Sequence, residues 1–446
     1  MKKMIVILGA GESGIGAALL GKSRGYRVFV SDIGKINSSL IKEMDSNQID
    51  YEQNVHSEEK ILTSDLVIKS PGIPDTSLIV QKIKAAGIEV ISEVEFAFRH
   101  TKSKIIGITG TNGKTTTTEL TCHLLKSGGK DVAVCGNIGT SMARLVSEKE
   151  REWLVVELSS FQLDDVVEFH PRIAIVLNIT PDHLNRYRDF NHYTNSKMNL
   201  LNRMGMNDPI IYWKEDKGLN EKISSKEGII IPVSISDSSV AYHSEKGMLY
   251  FDSYSLKEKE LTLRGDHNYI NIMCAVAAAI KAGVSFDDVR LGLKTFKGIP
   301  HRMEYVDTID GVSFINDSKA TNVEAVYYAL DTFDGSVTWI VGGQDKGNDY
   351  TKIYPLVKEK VRTIICLGLD NTKIREVFDG VSAHFEETID VKEAAILGLK
   401  YSERNDVVLL SPACASFDLF KSYEDRGDQF RNAVKELKIS HNQTHA

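Results

Sequence analysis

The sequence predicts an α/β fold made of three domains, each built on a largely parallel sheet. A chain of 446 residues is too long for a single hydrophobic core, and its length is typical of about three domains. Short runs rich in β-branched residues alternate with helix-like segments through most of the chain. This alternation is typical of parallel sheets that carry helices on both faces and bind ligands at the carboxyl ends of their strands.

We divide the chain into an N-terminal Rossmann-like domain (1–96), a central domain (97–298) and a C-terminal Rossmann-like domain (299–446). The runs with the composition of buried strands lie at 4–8, 27–32, 66–70, 88–92, 104–109, 131–136, 153–159, 172–179, 312–317, 337–343, 362–368 and 406–411. Residues 210–262 contain further short strands and are predicted to form a small β extension of the central sheet. The last boundary follows Gly298, where a helical pattern is interrupted.

Composition excludes several classes of protein. The formal net charge of −7 argues against a nucleic-acid-binding protein, which usually carries a basic excess. The five cysteines stand singly, so they form neither a disulfide framework nor a zinc site, and they favour a reducing compartment. No stretch approaches the roughly 18 apolar residues of a membrane span. We therefore expect a cytoplasmic protein with no membrane or nucleic-acid partner, and we expect it to be a monomer.

Residues 107–118, GITGTNGKTTTT, follow a predicted strand and lead into a helix-like segment. The standard phosphate-loop spacing G-x-x-x-x-G-K-[ST] would need a glycine where Ile108 stands, and the upstream glycine is Gly110 instead. Glycines in such a turn let backbone N–H groups surround a phosphate at a helix N-terminus. Lys114 would reach the β- and γ-phosphates, and the Thr115 hydroxyl would bind Mg²⁺. The alternative is a plain turn, but the strand–turn–helix context favours a P-loop ATPase-type central sheet.

Three polar residues follow neighbouring strands and are candidates for a metal site. Glu157 stands at the end of the strand at 153–159, where a carboxylate can bind Mg²⁺ or simply cap a helix. His183 follows the next strand, although a lone histidine is most often structural. Lys197 would by default be a solvated helix lysine. The residues alone leave these alternatives open.

The N-terminal stretch GAGESG places Gly9, Gly11 and Gly14 in the pattern G-x-G-x-x-G, and Asp32 ends the next strand. Read alone, this pattern indicates a dinucleotide-binding site with a ribose-binding acid. Any nucleotide diphosphate can, however, bind at the same helix N-terminus. The presence of the second loop makes us favour another nucleotide-linked ligand over a dinucleotide.

Further polar loops follow strands or begin helices downstream, and a cleft for two substrates would be assembled from such loops. Their candidate residues are Asn268, Asn271, Arg302, Asp317, Lys319, Thr321, Lys346, Ser416, Phe417 and Tyr423.

These stretches together resemble the Mur ligase family along the length of the chain. GTNGKTTT is similar to that family's own variant of the phosphate loop, which folylpolyglutamate ligases share. The combination of SPGIP, ELSSFQL, NITPDHLNRY, HNYIN, NDSKATN and SPACASFD resembles the members that add D-glutamate to UDP-N-acetylmuramoyl-L-alanine. The DNPR-type sequence of the neighbouring diaminopimelate- or lysine-adding members is absent.

The resemblance implies a cytoplasmic ligase of peptidoglycan synthesis, a process that supports cell shape and division. The N-terminal domain would bind the UDP group, the central domain ATP, and the C-terminal domain the amino acid. ATP would convert the L-alanine carboxylate into an acyl phosphate, which the D-glutamate amine then attacks. Positioning and charge neutralisation would be the main tasks of the protein.

The resemblance also implies residue roles. Lys114, Glu157, His183 and Lys197 form the catalytic set, and Thr115, Glu157, His183 and a carbamylated Lys197 would hold Mg²⁺. The implied nucleotide-binding residues are Gly110, Thr111, Asn112, Gly113, Lys114, Thr115, Thr116, Asn268, Asn271, Arg302 and Asp317. The implied substrate-binding residues are Gly11, Ser13, Gly14, Asp32, Gly72, Asn137, Ser159 and Gln162, with Lys319, Thr321, Lys346, Ser416, Phe417 and Tyr423 for D-glutamate.

Two positions depart from the family's uracil pocket. Small or apolar residues usually follow its second glycine, whereas this chain has Glu12, and Ile33 stands where a hydroxyl residue is frequent. These departures affect the individual uridine contacts rather than the role of the domain.

Three alternative functions fit part of the sequence. A folylpolyglutamate ligase shares the phosphate loop but not SSFQL or the UDP-type N-terminal domain. An NAD-dependent oxidoreductase would use GAGESG but leaves the loop at 110–116 unexplained. A non-catalytic nucleotide switch would need neither three domains nor the polar C-terminal loops.

Overall fold

The computed structural model describes residues 3–181, 186–263, 265–333, 335–345 and 347–444. The chain divides into two compact units, residues 1–296 and 297–446. The first unit contains two sheets and the second unit contains one.

The first sheet is formed by the N-terminal part of the first unit. Its elements are β1 (Met4–Leu8), α1 (Glu12–Ser23), β2 (Arg27–Asp32), α2 (Ser38–Ser46), β3 (Asp50–Gln53), α3 (Glu58–Ile61), β4 (Leu66–Lys69), α4 (Leu78–Ala85), β5 (Val90–Ser92) and α5 (Glu93–Phe98). Its five strands run parallel in the order β3-β2-β1-β4-β5. This is the strand order of a Rossmann-type sheet, in which the turn after the central strand faces a ligand.

The second sheet fills the rest of the first unit. Its elements are β6 (Lys104–Thr109), α6 (Lys114–Ser127), β7 (Val132–Gly136), α7 (Met142–Glu148), β8 (Trp153–Glu157), α8 (Ser160–Leu163), β9 (Ile173–Val176), α9 (Phe190–Met198), β10 (Pro209–Trp213), α10 (Lys217–Ile223), β11 (Ile229–Ser234), β12 (Tyr242–Glu245), β13 (Met248–Phe251), β14 (Tyr254–Lys257), α11 (Asp266–Lys281) and α12 (Phe286–Thr295). The strand order is β14-β13-β12-β11-β10-β9-β6-β8-β7, and only the pairs β12–β13 and β13–β14 are antiparallel. Strand β6 lies between β8 and β9, with Ile108 opposite Glu157 and Thr109 opposite Val176. The loop after β6 therefore starts beside the ends of both neighbouring strands.

The second unit is built on a third sheet. Its elements are β15 (Glu304–Ile309), β16 (Val312–Asn316), α13 (Val323–Asp331), β17 (Val337–Val341), α14 (Tyr354–Lys360), β18 (Val361–Leu367), α15 (Thr372–Phe378), β19 (His384–Thr388), α16 (Val391–Lys400), β20 (Val407–Leu410) and α17 (Tyr423–Thr444). The strand order is β15-β16-β20-β17-β18-β19, and only the edge pair β15–β16 is antiparallel. Helices pack on both faces around two apolar clusters.

The predicted fold class is confirmed: three α/β sheets, the central one with a small β extension. Strands β3, β15 and β19 were not predicted, because their residues are mostly polar or half-exposed and lack the apolar runs of buried strands. The five cysteines are free and buried. Within the described ranges, no helix is both long and apolar enough to cross a membrane.

Candidate active site

The turn between β6 and α6 depends on two glycines with positive φ angles. Gly110 has φ +155° and Gly113 has φ +82°, and Gly113 caps the N-terminus of α6. A Cβ atom on Gly113 would lie 2.4 Å from the Asn271 Oδ1 atom, so the space is closed to any side chain. The N–H groups of the first turn of α6 point into this loop, which is the geometry of a phosphate-binding site.

The loop is held in place by Asn178, which follows β9. The Asn178 carbonyl accepts a hydrogen bond from the Thr111 N–H (2.8 Å), and its side-chain Oδ1 accepts one from the Asn112 N–H (2.8 Å). Its Nδ2 group donates back to the Asn112 carbonyl (3.1 Å). Asn178 is absent from the predicted nucleotide set, and its position directly after a strand beside the loop is the sequence signal that could have identified it.

Two lysines converge on the Gly110 carbonyl. The Lys114 ammonium donates to the carbonyls of Gly110 (2.9 Å) and Thr111 (2.7 Å). The Lys197 ammonium donates to the same Gly110 carbonyl (2.8 Å) and lies 4.8 Å from the centre of the Tyr193 ring. Lys197 is only 2% exposed, so the default interpretation as a solvated helix lysine is wrong. The structure thus brings Lys114 and Lys197 together at one edge of the loop.

Glu157 ends β8 beside the loop and is buried. Its Oε1 atom accepts a hydrogen bond from the Asn137 amide (2.9 Å), and its buried Oε2 atom has no hydrogen-bond partner among the residues that the structure describes. A buried carboxylate oxygen without a donor is costly unless a cation contacts it. Together with the buried Thr115 hydroxyl at the start of α6, this oxygen fits the oxygen-ligand preference of Mg²⁺.

His183, predicted as a catalytic residue and metal ligand, and Lys346, predicted to bind D-glutamate, lie outside the described residues. In the described part of the chain, no group of three or more His, Cys, Asp or Glu side chains is arranged to hold a metal ion.

Asn271, which lies in α11, supports the glycine loop between β6 and α6. The Asn271 side chain is buried, and its Oδ1 atom accepts a hydrogen bond from the Thr117 hydroxyl (3.2 Å). Asn268 lies in the first turn of the same helix, where its N–H donates to the Gly265 carbonyl (2.9 Å). Thr116 is buried in the first turn of α6. Of the two asparagines of α11, Asn271 therefore contacts the first turn of α6.

The N-terminal glycine turn, which joins β1 to α1, has a different construction. Gly9 has φ +91°, and a Cβ atom on Gly14 would lie 1.9 Å from the Gly9 carbonyl oxygen. At Gly11, in contrast, a Cβ atom would meet no atom within 4 Å. The two carboxylate oxygens of Asp32 accept from the N–H groups of Ala10 (2.7 Å) and Gly34 (2.7 Å). Asp32 therefore shapes the turn, and the open side at Gly11 leaves room for a ligand at the N-terminus of α1, next to Ser13.

The predicted substrate residues Ser159 and Gln162 contact each other. The Ser159 N–H and hydroxyl donate to Gln162 Oε1 (3.0 Å each), and the Gln162 N–H donates to the Ser159 hydroxyl (3.3 Å). This reciprocal pair is a capping box at the start of α8. The structure therefore gives both residues a local structural role beside the end of β8.

Arg186 holds the loop that contains Gly72. Its guanidinium donates to the carbonyls of Pro71 (2.7 Å), Gly72 (3.1 Å) and Ile73 (3.1 Å). It also lies 4.5 Å from the centre of the Phe161 ring. Arg186 was not among the predicted site residues, because its acceptors are carbonyls more than a hundred residues earlier in the chain. It connects the segment after β9 to the loop after β4.

In the second unit, Asp317 follows β16 and is buried. It accepts hydrogen bonds from the Met303 N–H (3.1 Å) and the Ser411 hydroxyl (2.9 Å). Burial raises the pKa of Asp317 to about 6, although Arg302 favours its charged form. The Arg302 Nε atom is buried and, within the described residues, has no hydrogen-bond partner. The Asp317 carboxylate and the Arg302 guanidinium of the second unit are thus the polar groups that a ligand could contact at this position.

Arg426 organises the polar loops of the second unit. Its buried guanidinium donates to the Ser318 hydroxyl (2.9 Å), the Ser318 carbonyl (2.9 Å) and the Cys414 carbonyl (3.2 Å). Burial lowers the pKa of Arg426 to about 10. This residue was not predicted, although it lies close to the predicted Tyr423. It fixes the segment after β16 to the segment after β20.

Five predicted D-glutamate residues lie in or next to these loops: Lys319 and Thr321 follow β16, Ser416 and Phe417 follow β20, and Tyr423 begins α17. The Lys319 ammonium lies 5.6 Å from the centre of the Tyr423 ring. Ser416 is buried, Thr321 is half-buried, and Phe417 is 67% exposed. An exposed phenyl ring beside a buried hydroxyl offers an apolar surface next to a hydrogen-bonding group, which suits a small amino-acid ligand.

Three family models match successive parts of the chain. They are the "MurD-like, N-terminal domain" of Mur ligases at residues 3–92, the "Mur ligase middle domain" at 108–279 and the "glutamate ligase domain" at 301–414. Two relatives named UDP-N-acetylmuramoylalanine–D-glutamate ligase are similar over 98% of this chain and 100% of their own length. The one from Cytophaga hutchinsonii is 48% identical, and the one from Bacteroides fragilis is 43% identical.

Solved structures show the same fold at low sequence identity. UDP-N-acetylmuramate-alanine ligase MurC from Thermotoga maritima matches with a TM-score of 0.62 at 18% identity, over 98% of this chain and 100% of that one. The MurF ligase of the same organism, solved in complex with ADP, matches with a TM-score of 0.62 at 16% identity, over 95% of this chain and 99% of that one. With the full-length relatives and the three family models, these findings confirm the resemblance seen in the sequence: the chain belongs to the Mur ligase family.

Proposed function

We propose that this Mur ligase adds D-glutamate to the L-alanine carboxylate of UDP-N-acetylmuramoyl-L-alanine and converts ATP to ADP and phosphate. The observation that carries this choice of substrates is the 48% identity over the whole length with a relative of that name. The loop after β6 and the end of β8 support the chemistry, because together they provide a glycine turn, a lysine and a buried acid.

The reaction needs ATP because a carboxylate is a poor acyl donor. Transfer of the γ-phosphoryl group to the L-alanine carboxylate gives an acyl phosphate with a good leaving group. The amine of D-glutamate then attacks the acyl carbon, and the tetrahedral intermediate expels phosphate as the amide forms. The catalytic task of the protein is to align these groups and neutralise their charge.

At the ATP end, the N–H groups of the loop and the Lys114 ammonium bind the β- and γ-phosphates. The Thr115 hydroxyl and the Glu157 Oε2 atom, which has no partner among the described residues, would hold Mg²⁺, which when bound neutralises phosphate charge. His183 and a carbamylated Lys197 are the proposed ligands of a second ion, on the basis of the family resemblance. Lys197 itself fixes the Gly110 carbonyl (2.8 Å) and with it the shape of the loop.

For the UDP-linked substrate and D-glutamate, we assign the binding residues that the family resemblance implies. The open side at Gly11, with Ser13, Gly14 and Asp32, would bind the UDP group, and Gly72 and Asn137 would contact the rest of that substrate. Lys319, Thr321, Lys346, Ser416, Phe417 and Tyr423 would bind D-glutamate, while Arg302 and Asp317 would contact the nucleotide. The proposed place of action is the cytoplasm, and the proposed active unit is the monomer.

Phosphate release from ATP tests this function directly. With UDP-N-acetylmuramoyl-L-alanine present, D-glutamate should strongly stimulate release, L-glutamate should not, and chelation of Mg²⁺ should stop the reaction. Stimulation by L-glutamate or by a folate, with none by D-glutamate, would exclude the proposed substrates and favour a folylpolyglutamate ligase.

A further inference from the structure

Glu12 places an acidic side chain at the turn where the UDP-linked substrate is proposed to bind. It is the first residue of α1 and directly follows Gly11, whose open side faces the proposed ligand. The N–H groups at a helix N-terminus attract an anion, and a carboxylate beside them repels one. Glu12, which stands where the family usually has a small or apolar residue, would therefore repel a diphosphate bound at this helix N-terminus.

Arg144, in α7 of the neighbouring sheet domain, is paired with this carboxylate. Its Nε atom donates to Glu12 Oε1 (2.8 Å) and its Nη2 atom donates to Glu12 Oε2 (2.9 Å). The Ser141 N–H adds a third hydrogen bond to Oε1 (3.1 Å). Burial raises the pKa of Glu12, but Arg144 and Ser141 outweigh this effect and hold that pKa below its usual range. Glu12 is thus ionised at neutral pH and depends on Arg144 for its counter-charge.

Arg144 also neutralises a second acid at the same junction. It forms an ion pair with Glu43 of α2, and its Nη2 atom lies 3.3 Å from Glu43 Oε2. The Arg144 side chain is 16% exposed, against 43% for Glu12 and 31% for Glu43. Removal of Arg144 would therefore leave two uncompensated carboxylates near the N-terminus of α1.

We propose that Arg144 is a positioning residue for the UDP-linked substrate, which acts as the counter-ion of Glu12 and so allows a diphosphate to bind at the N-terminus of α1. The inference rests on the proposed function. It makes substrate affinity at the first sheet depend on a side chain from the ATP-type domain. The bidentate geometry suits arginine, since its planar fork matches both carboxylate oxygens and a lysine ammonium does not.

The test is a double-mutant cycle measured by phosphate release with saturating D-glutamate. Arg144→Ala should raise the KM for UDP-N-acetylmuramoyl-L-alanine about tenfold, equivalent to ~1.4 kcal/mol, and leave the KM for ATP unchanged. Adding Glu12→Gln to Arg144→Ala should bring the KM back towards the wild-type value, because the repelling charge is then gone. The increase should be smaller at high salt, which screens the exposed part of the interaction.

Arg151→Ala is the matched control. Arg151 pairs with Asp131 (2.8 Å) on the same sheet domain, so its removal makes the same charge change elsewhere and should leave the KM unaltered. Glu12→Gln alone should not raise the KM, which provides a readout even if Arg144→Ala does not fold.

Three outcomes would overturn the inference. They are an unchanged KM in a folded Arg144→Ala variant, a double variant as impaired as Arg144→Ala alone, and a tenfold rise of KM in Glu12→Gln alone. Absence of any turnover by the wild-type chain would instead contradict the proposed function, so the two failures are distinguishable.

Discussion

The two glycine turns of the first unit differ in what holds them. The turn at 9–14 is fixed largely by its own sheet: the Gly9 N–H donates to the Ser31 carbonyl (2.9 Å), and Asp32 accepts from the Ala10 N–H (2.7 Å). The turn at 110–113 is fixed by residues that come much later in the chain, namely Asn178 and Lys197.

This difference separates a self-contained turn from a dependent one. The supports of the first turn belong to the same strand–helix–strand unit and are part of its sequence pattern. The second turn needs β9, α9 and α11 to be in place before its N–H groups can face a phosphate. Changes far from the turn at 110–113 should therefore distort its backbone and impair catalysis. The backbone shape of the turn at 9–14 should depend mainly on its immediate neighbours, and Arg144 acts there on the charge of Glu12 instead.

The strongest way to break the dependent turn is Lys114→Ala. The variant loses the ammonium that would contact the phosphates and also the two hydrogen bonds to the Gly110 and Thr111 carbonyls. Removal of one such charge-stabilising donor costs about 10²–10³-fold in kcat, so phosphate release should fall at least by that factor. The initial rate of phosphate release, measured with all substrates at saturating concentrations, checks the prediction.

Lys126→Ala is the control for this substitution. Lys126 is exposed in the last turn of the same helix, so its loss makes the same charge change far from the loop. It should retain wild-type turnover. Near-normal activity of Lys114→Ala would contradict the assignment of residues 110–116 as a phosphate site.

A smaller effect on catalysis is expected from the loop that contains Gly72, which Arg186 holds from more than a hundred residues later in the chain. Arg186→Ala removes three hydrogen bonds to the carbonyls of Pro71, Gly72 and Ile73. The loop of Gly72 should then lose its fixed position, and the KM for UDP-N-acetylmuramoyl-L-alanine should rise about tenfold, or ~1.4 kcal/mol. Arg186→Lys should give an intermediate value, because a single ammonium cannot match the guanidinium geometry.

Arg188→Ala is the matched control for Arg186→Ala, because Arg188 is exposed two residues later and should tolerate the change. Steady-state kinetics with each substrate varied in turn separates the KM values. An Arg186→Ala variant with unchanged KM for the UDP-linked substrate would show that the Gly72 loop does not need this support for binding.

The sequence predicts the fold class and the nucleotide loop because both are encoded locally. Strand runs, the turn after each strand and the glycines with positive φ can be recognised within short windows. Lys114 and Glu157 could be assigned for the same reason, as each lies in or directly after such a window. Asp32 is predicted as a substrate-binding residue on the same local grounds, and the structure shows its carboxylate accepting hydrogen bonds from the N–H groups of Ala10 and Gly34.

The residues that were missed act over long sequence separations. Arg186 is bonded to carbonyls, which any residue type can offer, so no sequence pattern marks its partners. Arg144 meets Glu12 only because α1 and α7 pack closely: a Cβ atom on Gly16 would lie 2.0 Å from the Ser141 hydroxyl oxygen. The burial of Lys197, which is among the predicted site residues, also has no local sequence signal, because it depends on how α9 packs. These contacts arise from tertiary packing rather than local pattern.

The smallest expected effect is on stability and concerns Glu93, which lies in α5 where this helix meets α1 and α7. Its Oε1 atom accepts a hydrogen bond from the Ala143 N–H (2.5 Å), and its buried Oε2 atom has no partner in the described parts of the chain. Burial raises the pKa of Glu93 to about 7, and the nearby charge of Glu12 adds to this effect. A carboxyl group with a raised pKa stabilises the folded protein while it is protonated.

The sign of the pH dependence follows from that shift. The contribution of Glu93 is fully present below its unfolded pKa and is lost as pH rises through about 7. Between pH 6 and pH 8 the free energy of unfolding should therefore fall by ~1 kcal/mol. For a unit that extends to residue 296, this corresponds to roughly 1–2 °C in Tm. Glu93→Gln should abolish this difference, whereas Glu89→Gln should keep it, because Arg99 lowers the pKa of Glu89 and that residue titrates below this range. Calorimetry of both variants at the two pH values measures the effect. An equal pH dependence in Glu93→Gln and the wild type would show that the buried Glu93 carboxylate does not take up a proton in this range.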